Sequence, residues 1–120
     1  MNNDPENKLK PPISVTIKDK YVLHSAYMVF LKSGGLFIPI NKPFEMNQEV
    51  ALLVTLMITE PAQKFVLKGK VVWITPQQSQ GSRAGGIGVE FLGKEGAELR
   101  RIIEKILAES LKGEEATHTM

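Results

Sequence analysis

The sequence predicts a mainly β protein: about six antiparallel strands closed into a barrel, followed by a C-terminal α-helix. Three observations carry that prediction. From Ile13 to Leu92 the apolar residues alternate with polar ones or run together in short stretches, which is the period of strands. Glycine, proline and asparagine clusters separate those stretches, as turns require. After Leu92 the apolar spacing lengthens to three and four residues, the period of an amphipathic helix. Strands that all precede the helix argue against alternating βαβ units and for an antiparallel barrel or sandwich.

Residues 1–12 are polar, charged and proline-containing, and read as a disordered tail. Ile13 to Lys18 alternates as a half-buried strand. Asp19-Lys20 reads as a turn or bulge. Tyr21 to Leu31 carries apolar groups at both odd and even positions, which suggests a strand covered on both faces or offering one to a partner. Gly34-Gly35 then turns the chain into a short strand, Leu36 to Ile40, broken by Asn41-Lys42-Pro43. Glu49 to Thr59 and Phe65 to Thr75 form a hairpin about Glu60 to Lys64. Gly69 within its second arm predicts a bulge or a close backbone approach. Pro76 to Gly86 is a loop, and Ile87 to Leu92 the last strand. Leu99, Ile102, Ile103, Ile106, Leu107 and Leu111 share one helical face, with Gly113 as its cap. The domain therefore spans 13–112, and residues 113–120 read as a second disordered tail.

Composition removes several function classes. The 120 residues suit one domain, and the absence of cysteine excludes disulfides, thiolate metal sites and cysteine nucleophiles. The N-terminus has no apolar core of a secretory signal, and no apolar run is long enough to span a bilayer; the expectation is a cytoplasmic monomer without membrane insertion. Net charge is only +2, and the sole arginines are Arg83, Arg100 and Arg101. Guanidinium forks for phosphate and guanine are scarce, so a nucleic-acid partner is not expected. His24 and His118 are unconnected and build neither a metal site nor a nucleophilic triad. Gly81 to Gly86 lacks the Gly-Lys-Ser/Thr and following helix of a phosphate-binding loop. No enzyme activity, cofactor or metal is expected.

Four segments, in order, resemble PilZ domains: the Gly34-Gly35-Leu36-Phe37 turn, Gly69-Lys70-Val71-Val72-Trp73-Ile74, Gly86-Ile87-Gly88-Val89-Glu90-Phe91, and the C-terminal amphipathic helix. The resemblance implies the six-stranded barrel with its helix. It also implies a loop of the form Asp/Asn-x-Ser-x-x-Gly that helps to grip cyclic di-GMP. Here Phe30 stands at the acid, Lys32 at the serine, and only Gly35 is retained; an Arg-x-x-x-Arg pair ahead of the first strand is missing too. The loop is degenerate. The runs Lys32 to Pro39, Glu49 to Leu56 and Gly69 to Pro76, with Gly81-Ser82-Arg83, are further similar to the type IV pilus assembly subgroup. That resemblance implies an adaptor for pilus biogenesis and twitching motility. Its expected partners are the pilus-extension ATPase (PilB type) and a cyclic di-GMP receptor scaffold with degenerate GGDEF and EAL domains (FimX type).

Tyr21, His24, Tyr27, Met28 and Phe30 are the candidate partner-binding residues, because aromatic and methionine side chains are enriched at interfaces. The competing reading puts half of them in the core and makes His24 an exposed polar residue. Trp73 is expected in the core. Two rival functions stay open at this point: an atypical cyclic di-GMP receptor using Lys8, Lys10 and Lys32, and a small barrel binding single-stranded nucleic acid.

Overall fold

A computed structural model describes residues 12–76 and 85–118, with side chains described to residue 110. The expected tail ahead of Pro12 and most of the Pro76 to Gly86 loop lie outside the described residues. Five strands form one sheet: β1 (Ile13–Ile17), β2 (Gly35–Pro39), β3 (Glu49–Leu56), β4 (Gln63–Thr75) and β5 (Gly86–Leu92). Their order is β1-β3-β4-β5-β2, and the sheet curls into a half-barrel. Two helices accompany it, α1 (Lys20–Ala26) and α2 (Gly93–His118). Among the described residues no helix is long and apolar enough to cross a membrane.

The expected six antiparallel strands become five, because Tyr21 to Leu31 is not a strand. Asp19 is an N-cap: its carboxylate accepts the Val22 N–H at 2.9 Å, satisfying one of the orphan donors of a helix start. The chain then coils so that Leu23 and Tyr27, four residues apart, both turn inward; they are 0% and 8% exposed. Over so short a span a helical spacing also satisfies an alternation with two apolar faces. With no strand there, β1 pairs with β3, and the pairing is parallel. The other three ladders are antiparallel.

The inner face carries Ile17, Leu36, Ile38, Leu52, Val54, Leu56, Leu67, Val71, Ile87, Val89 and Phe91, all buried. Leu99 and Ile103 of α2 close that core and are fully buried, with Ile102, Ile106 and Leu107 at its margin. The helix begins at Gly93 and runs through Gly113 to His118, so Gly113 does not cap it. Gly69 marks a close approach: a Cβ there would lie 2.3 Å from Val89 Cγ1.

The bulge falls further along β4, where the register with β5 shifts between Val71 and Trp73. One extra residue in a strand flips every later side chain to the other face. Trp73 therefore pairs with Gly88 on the outer face and is 53% exposed, which corrects the expectation that it is core. Its indole N–H donates to Thr75 Oγ1 at 2.8 Å.

Candidate functional site: a glycine-floored turn covered by its own side chains

The degenerate loop joins α1 to β2. Tyr27 ends the helix, its N–H donating to Leu23 O at 2.9 Å. The turn is then closed by four more backbone bonds. Met28 N–H donates to Gly35 O, Leu31 N–H to Met28 O, Gly34 N–H to Leu31 O, and Phe91 N–H of β5 to Gly34 O, at 2.9 to 3.2 Å. Ser33 N–H reaches the Glu90 carboxylate at 3.3 Å. Gly34 has φ +78°, a backbone that L side chains rarely adopt.

Beneath the turn the outer face of the sheet is bare. Gly35 opposes Glu90 and Phe37 opposes Gly88 in the β2–β5 ladder, with Gly86 opposite Pro39 two pairs further on. Bare backbone of this kind lets a ligand approach closely. Here the chain itself makes the approach. A Cβ at Gly35 would lie 2.7 Å from Leu31 Cδ1; one at Gly88 would lie 2.7 Å from Met28 Sδ and 2.9 Å from Trp73 Cβ; one at Gly86 would lie 2.5 Å from Phe37 Cζ. Met28 is accordingly buried, at 8% exposure.

The turn is also braced from α2. The Tyr27 hydroxyl donates to Glu104 Oε2 at 2.7 Å, and Arg100 Nε donates to the same oxygen at 3.2 Å. The hydroxyl and the Arg100 stem both pack against Gly34. Burial, reinforced by the bond to Glu104 and by that carboxylate's charge, pushes the Tyr27 phenol up to about 12, and the Arg100 guanidinium opposes the shift. The neutral phenol is thus the form the fold prefers. Its contribution is complete below the unfolded value near 10 and disappears as pH rises through about 12. Tyr27→Phe is expected to cost roughly 1–2 kcal/mol near neutrality. The stability gap to wild type should stay constant up to about pH 10 and shrink towards about pH 12, as urea melts across that range would show.

The structure separates the five candidate contact residues. Tyr27 joins the core and Met28 is buried against the outer face over Gly88, whereas Tyr21 is 80% and Phe30 71% exposed, and His24 is exposed on the last turn of α1. Lys32, at the serine position of the loop, is exposed as well. Sequence reasoning missed Val29, which is 73% exposed beside Phe30, and it missed Leu31 as a covering residue. An open groove of about 820 Å³ lies elsewhere; Ile13, Ile40, Phe44 and Val50 line it at the starts of β1 and β3. Among the described residues no three His, Asp or Glu side chains are grouped to hold a metal.

Comparison with curated proteins gives no match. Comparison with protein families does: the PilZ domain matches residues 6–109. PilZ domains are generally non-catalytic binding domains, and the family implies a receptor or adaptor role related to cyclic di-GMP. The match takes in every strand, both Gly-Gly pairs and most of α2, and the chain belongs to the PilZ domain family.

Proposed function

We propose that this PilZ domain does not bind cyclic di-GMP and works as an adaptor in type IV pilus biogenesis and twitching motility. It links the pilus-extension ATPase (PilB type) to a cyclic di-GMP receptor scaffold with degenerate GGDEF and EAL domains (FimX type). The observation that carries the non-binding half is the covered turn. Met28 and Leu31 occupy the space over Gly88 and Gly35, while Phe30 and Lys32 stand where a ligand loop offers hydrogen-bonding groups. Charge-assisted bonds to phosphate contribute roughly 1.5–3 kcal/mol each. A micromolar affinity is only about 8 kcal/mol in all, so losing the acid, the serine and both arginines removes most of it.

The adaptor half is supported by surface. Tyr21, Val29 and Phe30 hold large apolar side chains in solvent at 71% to 80% exposure. Exposed aromatics of this kind are typical anchors of protein interfaces. Docking on one partner would bias docking on the other by a coupling of about 1–3 kcal/mol.

Two experiments test the proposal. Purified ATPase and scaffold should each be retained by the immobilised wild-type chain and lost with the double change Tyr21→Ala and Phe30→Ala; retention of neither by wild type contradicts the adaptor role. Restoring the loop with Phe30→Asp and Lys32→Ser should leave cyclic di-GMP binding undetected, since Met28 and Leu31 still cover the floor. A micromolar dissociation constant for that variant would mean the two substituted side chains were the whole defect.

A further inference from the structure

The net charge of the chain falls in the segment that carries the exposed Tyr21, Val29 and Phe30. Between Lys18 and Gly34 there are three lysines, Lys18, Lys20 and Lys32, and one acid, Asp19. All three lysines are exposed, and the Asp19 carboxylate is engaged by the Val22 N–H. This segment holds +2, which is the whole formal net charge of the protein; the remainder sums to zero. The carboxylates that neighbouring elements bring to the segment are also engaged. Glu104 accepts from Tyr27 and Arg100, and Glu90 from Ser33 N–H.

We infer that the α1 and turn surface docks on an acidic protein face: an apolar socket for Tyr21, Val29 and Phe30, rimmed by carboxylates that meet Lys18, Lys20 and Lys32. The inference rests on the adaptor reading and names the chemistry of the partner at that same surface. Lysines at a rim steer encounter and sharpen specificity, while buried apolar anchors hold the complex. The two other anionic partners fit less well. Nucleic acid favours planar guanidinium forks, and Arg100 and Arg101 are paired with Glu104 and Glu98. Anionic membranes call for clusters of about four to eight basic residues, and the segment offers three lysines.

The test measures binding of the PilB-type ATPase and the FimX-type scaffold by biolayer interferometry at low and high salt. Three proteins are compared: wild type, the pair Lys20→Glu with Lys32→Glu, and a charge-matched control, Lys64→Glu with Lys68→Glu, on the outer face of β4. For at least one partner, wild type should weaken roughly tenfold between 50 and 300 mM salt. The Lys20/Lys32 pair should weaken about tenfold at low salt, mostly in the association rate, and the control about twofold or less. Salt-independent binding that Phe30→Ser still abolishes overturns the acidic face and leaves the adaptor reading standing. Equal losses in the two charge-reversed proteins also overturn it, because net charge alone would then explain the effect. Binding of neither partner to wild type at any salt overturns both readings. Lysine-dependent binding to phosphatidylserine-containing vesicles or to single-stranded DNA, with none to either protein, overturns the choice of a protein partner.

Discussion

Gly35→Val is expected to lower the stability of the domain by about 3 kcal/mol or more, enough to move the thermal midpoint down by roughly 10 °C. The reason is the seam between β2 and β5. A Cβ at this position would sit 2.4 Å from the Val89 carbonyl oxygen and 3.2 Å from Glu90 Cα. Those are backbone atoms and cannot swing aside as a side-chain tip would. Leu31 Cδ1, at 2.7 Å, would have to leave as well, and the turn that it covers would open. Overpacking forced on backbone is among the costlier substitutions. Thermal melts followed by circular dichroism give the answer; a midpoint within about 3 °C of wild type would mean that β2 and β5 are not in register at Gly35 and Glu90.

Leu23→Ala is expected to cost about 2–5 kcal/mol, the range for deleting a fully buried leucine. The loss should be local as well as global. α1 has seven residues, too few to be stable without tertiary contacts. Leu23 is its one fully buried side chain, and Tyr27 and Ala26 complete the inward face. With Leu23 truncated, α1 should loosen first and carry Tyr21 with it. Amide exchange in residues 20–27 is therefore expected to speed up more than exchange in β3 or β4. Uniform acceleration across the sheet would show instead that α1 unfolds only with the whole domain.

Much of this architecture is legible in the residues. Alternation places β1, β2, β3, β4 and β5 within a few positions of their observed ends, and the three- and four-residue steps from Leu99 onward locate the buried face of α2. The failures have a common physical source, which is that local pattern is silent on tertiary register. Lys20 to Ala26 has apolar residues that satisfy either period over so short a span, and only Asp19, read as a turn residue, distinguishes them by capping. Trp73 is assigned to the core by strict alternation and is carried outside by one extra residue at Val72. The parallel pairing of β1 with β3 goes with α1 and is invisible to a pattern that reads Tyr21 to Leu31 as a strand.

The candidate site divides the same way. Phe30, Lys32 and Gly35 are visible in sequence because a motif fixes their spacing. What covers the glycines is not, since Met28 comes to lie over Gly88 from far away along the chain. Aromatic character alone could not divide Tyr21 and Phe30, which face solvent, from Tyr27, which is held by Glu104.

On the proposed reading, the PilZ frame here carries a turn closed to its family's nucleotide. Isothermal titration of the purified protein with cyclic di-GMP, at concentrations able to detect a dissociation constant of roughly 100 μM, decides the matter. The expected result is no heat of binding beyond dilution. A saturable isotherm in the low-micromolar range would contradict it: Met28 and Leu31 would have to move off Gly88 and Gly35 to admit the nucleotide, and the protein would be a direct sensor.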